Sequence, residues 1–171
     1  HSLMRLICIF KIVLTCLLAI NYGALKTGAV NMTIWKRDFD LESLNNTSNE
    51  TLMRHLGILY TQFDDNSLTA SMPVNSSTHQ PLGMLHGGAS VALAESVGSL
   101  AANMCVEKDS FCVGLEINAN HIRAVRSGVV YACASPLHLG ATTQVWDIKI
   151  KDDKQRLLCI SRLTVAVKKR V

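Results

Sequence analysis

The sequence has 171 residues, 49% of them hydrophobic and 18% charged, which supports one domain with a substantial core rather than a disordered or fibrous chain. Its net charge is +4, but Arg5, Lys11 and Lys26 supply three of those charges within residues 1–31, leaving +1 for residues 32–171. Only 5% of residues are aromatic and no basic cluster is interleaved with them, so the composition gives no case for a nucleic-acid partner.

Residues 3–20 are strongly apolar but interrupted by Arg5 and Lys11. A charged start before a short apolar core has the form of a secretory signal or a membrane anchor. No convincing small-x-small cleavage site follows, and Met32 opens the part that reads as a domain. Residues 1–31 are therefore expected to be a leader, an expression remnant or a mis-assigned start, and residues 32–171 to form the domain, with no membrane partner and a cytoplasmic location. The sequons at Asn45, Asn46, Asn49 and Asn75 then read as polar loop chemistry.

A short helix is expected over residues 41–45, with Asp40 as its cap, and a second helical turn over residues 51–56. Residues 57–63 read as a strand, Asp64-Asp65-Asn66 as a turn, and residues 67–74 as a returning strand in which Leu68, Ala70 and Met72 alternate. Residues 75–85 read as loop. The run from Ala89 to Asn103 is rich in Ala, Leu and Val, lacks proline, and predicts about four turns of helix beginning at Gly87-Gly88. It is apolar on nearly every side, so it is expected to be buried.

Four strand-like runs follow. Residues 111–122 alternate Val113, Leu115, Ile117 and Ala119 against polar neighbours, and residues 129–134, 144–150 and 157–167 complete the set. Two strands, a long buried helix and four more strands point to an α+β domain whose antiparallel sheet wraps a central helix. Small residues in the helix, Ala92, Ala94, Gly98, Ala101 and Ala102, permit the close approach that this needs. Cys105, Cys112, Cys133 and Cys159 are scattered through apolar runs without C-x-x-C spacing, which suits free thiols in a reducing compartment. No histidine spacing suggests a metal, and none is assigned.

One ionisable residue, Glu95, sits inside the apolar helix. A carboxylate is rarely buried without a partner or a purpose. The free N–H groups of Gly87 and Gly88 lie at the helix N-terminus, where the backbone can hold an oxyanion. Glu95 follows Gly88 by seven residues, close to two turns, and Ser99 follows one turn later. A polarised carbonyl beside a carboxylate suggests acyl transfer or hydrolysis.

The stretches Met-Pro-Val at 72–74, Thr-His-Gln-Pro-Leu-Gly-Met-Leu-His-Gly-Gly from Thr78 through to Ala94-Glu95, Gly-Leu-Glu-Ile-Asn-Ala-Asn-His-Ile-Arg at 114–123 and Pro-Leu-His-Leu-Gly at 136–140 make the domain resemble the hotdog-fold acyl-CoA thioesterases. Within them it is most similar to the bacterial thioesterases acting on 1,4-dihydroxy-2-naphthoyl-CoA in menaquinone biosynthesis. The resemblance implies that Glu95 is nucleophile or general base, and that the Gly88 N–H, or that of Gly87, polarises the thioester carbonyl. It also implies that Gln80 and His86 orient the thioester, and that Ser99 places the water or the aryl group. Gly114, His121, Ile122, Arg123, Ala124, His138, Leu139, Gly140, Ala141, Thr142 and Thr143 would line the coenzyme A channel. Coenzyme A is then part of the substrate and no separate cofactor is expected.

Relatives commonly carry arginine at position 141 and proline at 124, where this sequence has Ala141 and Ala124, which leaves Arg123 and Arg126 as the candidate phosphate contacts. On the residues alone, His86 better suits a helix cap, Ser99 a packing position and His138 a surface loop. A homodimer, doubled to a tetramer, is expected, with sites at the subunit interface. The alternatives to a thioesterase are a hotdog dehydratase or hydratase, and a module that binds acyl-CoA or acyl carrier without hydrolysis.

Overall fold

Asp40 carries the short acceptor side chain that favours a helix start, and it accepts the Ser43 N–H at 2.8 Å to open α1, Leu41–Asn46. The computed structural model describes residues 33–170; the leader expected over residues 1–31 lies outside the described residues. After α2, Leu52–Leu56, strands β1, Leu59–Phe63, and β2, Leu68–Val74, form a hairpin. The Asp64 carboxylate closes its turn by accepting the N–H groups of Asn66 and Ser67. The segment expected to be plain loop, residues 75–85, contains a small hairpin of β3, His79–Gln80, and β4, Met84–Leu85. Two-residue strands carry too little pattern to be read from sequence.

The central helix α3, Gly87–Met104, is followed by β5, Ser110–His121, β6, Gly128–Leu139, β7, Thr143–Asp152, and β8, Leu157–Lys169. The main sheet is antiparallel in the order β1-β2-β6-β7-β8-β5. Each of its long strands turns one row of side chains towards α3. Leu68, Ala70 and Met72 of β2, Trp146, Ile148 and Ile150 of β7, and Leu163 and Val165 of β8 are fully buried. From the helix, Leu93, Ala94, Val97, Ala101 and Ala102 meet them. Gly98 lies so close to Leu163 and Ile148 that a side chain there would displace both, so the helix rests directly on the sheet at this point.

Two expectations about strands are corrected. The first is that β6 runs five residues beyond 134, to Leu139. Pro136 suggests an end, but β2 leaves β6 at the Leu68–Ala134 pair, so the missing N–H of Pro136 costs nothing on that side. On the other side Pro136 sits opposite Trp146, just before a shift in register at His138. The second is that Val113, Leu115, Ile117 and Ala119 do not share one face. A β-bulge between Gly114 and Glu116 makes Leu115 the extra residue. Cys112 is buried, Val113 and Leu115 are exposed, and Ile117 and Ala119 pack against the core beyond the bulge.

At its far end the helix is held by residues outside the sheet. The Lys36 N–H bonds the Met104 carbonyl at 2.8 Å, and the Arg37 guanidinium donates to the carbonyls of Val106, Glu107 and Ser110. Cys105, Cys112, Cys133 and Cys159 are free thiols. Burial, followed by the neighbouring Cys112, pushes the Cys105 thiol up to about 12 against the opposing pull of Lys36, and burial also raises Cys112 and Cys159.

Candidate active site

Two backbone hydrogen bonds and one from a side-chain hydroxyl fix the approach to α3. His86 N–H bonds the Thr78 carbonyl at 2.8 Å, Leu85 N–H bonds the Val125 carbonyl at 2.9 Å, and buried Thr78 hydrogen-bonds the Pro73 carbonyl. Gln80 lies in β3, and its side-chain oxygen accepts the Leu82 N–H across the turn. His86 is the N-cap: its Nδ1 accepts the Gly88 N–H at 2.8 Å. An accepting Nδ1 carries no proton, so a neutral His86 holds its proton on Nε2. The capping role open to His86 on its sequence is thus the one seen, and it occupies the donor that the resemblance assigns to the thioester carbonyl. Gly87 lies under the ring of His121, which takes up the space a side chain would need.

Two turns further along, Glu95 is half-buried, and its Oε1 accepts the Ser99 hydroxyl at 2.8 Å. The carboxylate turns Oε1 towards Gly114 at the β5 bulge, where a methyl group would collide with it. A bulge beside a functional carboxylate is a common device for aiming a side chain or clearing space for one. Asn103, one turn beyond Ser99, ties these parts together. Its amide nitrogen donates to the carbonyls of Ser99 and Cys112, at 2.8 and 3.2 Å, and its oxygen accepts the Cys112 N–H at 2.9 Å. The strand bearing Gly114 is thereby fixed to the helix bearing Glu95. Sequence reasoning missed Asn103 as a site residue, although Glu95, Ser99 and Asn103 form a polar row at i, i+4 and i+8 in an apolar helix.

The remaining expected residues divide between two places. Gln80, Gly87, His121, Ile122, Arg123 and Ala124 line a cleft of about 310 Å³ at the helix N-terminus. Leu139, Gly140, Ala141 and Thr142 line a groove of about 620 Å³ beside Cys105 and Val106, at the C-terminal end of the same helix. His138 packs on Gly140 at the tip of the β6–β7 hairpin, and the Thr142 and Thr143 hydroxyls lie within hydrogen-bond reach of each other. An 18-residue helix is about 27 Å long, so a single chain does not bring these two sets into one channel. Arg126 is also occupied: its Nη1 donates to the carbonyls of Leu82 and Gly83 and braces the loop before α3. Arg123 is exposed in the cleft wall.

A carboxylate seated on glycine, with a hydroxyl on one oxygen and a helix N-terminus two turns away, is an arrangement for hydrolysis at a carbonyl. Residues 82–159 match the thioesterase superfamily. The 1,4-dihydroxy-2-naphthoyl-CoA hydrolase of Escherichia coli is 52% identical over 134 residues, covering 78% of this chain and 98% of its own. The chain belongs to the thioesterase superfamily.

A Vibrio cholerae protein named as an esterase, without a substrate in its name, is 62% identical to this thioesterase over 81% of the chain and 92% of its own length. The crystal structure of a Haemophilus influenzae thioesterase superposes with a TM-score of 0.79 at 49% identity, covering 80% of this chain and 96% of that one. The fold is the hotdog fold of these enzymes, an antiparallel sheet packed on a long helix, and the activity is thioester hydrolysis. The dehydratase and the non-hydrolytic binding module are thereby set aside. Among the described residues no helix is long and apolar enough to cross a membrane.

Proposed function

We propose that this thioesterase hydrolyses aromatic acyl-CoA thioesters, with 1,4-dihydroxy-2-naphthoyl-CoA as the substrate its resemblance favours and menaquinone biosynthesis as the setting. The observation that carries the reading is the seat of Glu95: a carboxylate held by Ser99 against a residue without a side chain, in line with the helix N-terminus. Glu95 lies about 20° around the helix from Gly88, so both face one side. Water adds to the thioester carbon, the C–S bond breaks, and the thiolate of coenzyme A leaves with the proton. Glu95 serves either as the base that takes the proton from water or as the nucleophile whose anhydride water then opens.

In this reading the carbonyl oxygen displaces His86 Nδ1 from the Gly88 N–H, and the released imidazole joins Gln80 in orienting the thioester. Ser99 holds the carboxylate and borders the aryl group. The two distant sets of channel residues belong together only if a second copy brings its groove to this copy's cleft. Edge strand β5 suits such an approach, because Val113 and Leu115 leave 42% and 62% of their surface exposed along it. A homodimer paired through β5, with sites shared between subunits and further doubling to a tetramer, completes the reading, as does a cytoplasmic setting with its pool of coenzyme A thioesters.

The test is a panel of acyl-CoA thioesters followed by release of free thiol. Benzoyl-CoA and 1,4-dihydroxy-2-naphthoyl-CoA should exceed short aliphatic thioesters in kcat/KM by at least tenfold. Equal or better turnover of aliphatic thioesters would remove the aromatic assignment.

A further inference from the structure

Ser90 stands one turn into α3 and is only 4% exposed. Its backbone N–H bonds the His86 carbonyl, as a helix requires, but its hydroxyl has no hydrogen-bond partner among the described residues. Ser96 shows the ordinary behaviour in the same helix, returning its hydroxyl to the Ala92 carbonyl at 2.7 Å. Every side-chain polar atom fully enclosed among the described residues does find a partner. The small exposure left to Ser90 therefore lies at its hydroxyl, and the surface it faces is the cleft lined by Gln80, Gly87 and His121.

A buried hydroxyl without a partner is a cost to the fold, and one that opens onto a cleft is available to a ligand. We propose that Ser90 is a substrate-positioning residue whose hydroxyl donates to an amide carbonyl of the pantetheine arm of the acyl-CoA. The assignment to the arm rests on direction. Helical side chains lean towards the N-terminus, so Ser90 covers the turn at Gly87. Its position is about 140° around the helix from Glu95, so it does not face the reacting carbon. The rest of the cleft is mixed, with Met84, Leu85, Ile122 and Leu158 sharing its wall with Gln80, His121 and Arg123. A slender chain of methylenes and amides suits such a passage, and Ser90 offers it a polar contact.

This inference rests on the coenzyme A thioester reading above. It is tested with Ser90→Ala in the full chain, measuring kcat and KM on benzoyl-CoA and product inhibition by free coenzyme A. KM and the inhibition constant should rise together by about 3- to 10-fold, the worth of one neutral hydrogen bond, with kcat within twofold of the parent. The melting temperature should hold or rise, since alanine is the better helix former and no contact is lost. An unchanged KM and inhibition constant, or a fall in kcat alone, overturns the proposal; so does a lowered melting temperature with unchanged kinetics, which marks a structural hydroxyl. A parent protein that neither cleaves benzoyl-CoA nor is inhibited by coenzyme A overturns the underlying reading, and this assignment with it.

Discussion

Gly114→Ala separates a seat for catalysis from a requirement of the fold. Gly114 does not adopt a positive φ, so its backbone accepts alanine without strain. In a strand such a change ordinarily adds about 0.4 to 1 kcal/mol by restricting the unfolded chain. The added methyl meets the tip of the Glu95 side chain rather than a rigid group, so the carboxylate can move aside at little cost to stability. Ordinary contact distances require it to retreat by about 1 Å, and a displacement of that size at a reacting group removes about 100-fold in rate, or about 2.7 kcal/mol of barrier. The 2.8 Å bond from Ser99 is stretched or lost with it. Thiol release from benzoyl-CoA should therefore show kcat reduced by about two orders of magnitude, while a thermal melt shows the same or a slightly higher midpoint. A folded Gly114→Ala protein with kcat within threefold of the parent would refute the role given to this seat.

Glu95→Gln keeps shape and hydrogen bonding but removes base and nucleophile, so kcat on an aromatic acyl-CoA should fall by about 10² to 10⁴ with KM little changed; Glu95→Asp should retain part of the activity. The parent should sediment as a dimer or tetramer, and Leu115→Lys, placing a charge on the exposed edge, should yield a folded monomer with greatly reduced activity; an active monomeric parent contradicts shared sites. Acid stability should depend on Asp152. Burial alone would raise its carboxyl, but the Arg156 guanidinium and the N–H groups of Lys154 and Arg156 outweigh it and hold it below the usual range. That contribution is present above the ordinary carboxylate pKa and is lost as pH falls through the lower folded value, so Asp152→Asn should be less stable at pH 7 and show a flatter loss of stability below about pH 4 in acid titration by circular dichroism.

The helix was legible because Gly87-Gly88 and the proline-free apolar run leave few alternatives, and Glu95 was legible as the lone acid in that run. The strands whose patterns alternate cleanly, such as Trp146, Ile148 and Ile150, were legible for the same reason. The β5 bulge was not, since Val113-Gly114-Leu115-Glu116-Ile117 reads as unbroken alternation and only pairing with β8 shows the extra residue. The extension of β6 was hidden by Pro136, whose tolerance depends on where β2 ends. Nor does a sequence carry the distance between residues 121–124 and 138–143, which is set by the length of α3 between the two ends of the sheet. Gly114 was identified as a lining residue, but its steric reason required the Glu95 carboxylate to be in place.

The amide of Asn103 also bears on how the sheet can grow. Cys112 turns its N–H and its carbonyl away from β8, towards the side where a further strand would sit, and Asn103 takes both. Two residues earlier the outward carbonyl of Ser110 is taken by Arg37, and its N–H by the Glu107 carbonyl. The first part of β5 is thus already sealed by side chain and loop, and a new strand finds open backbone only from Gly114 onward. A second chain that zips onto this edge therefore meets, as the first residue it can engage, the glycine on which Glu95 rests. Disturbance of that junction reaches the carboxylate directly, so the state of the edge and the aim of the carboxylate are not independent.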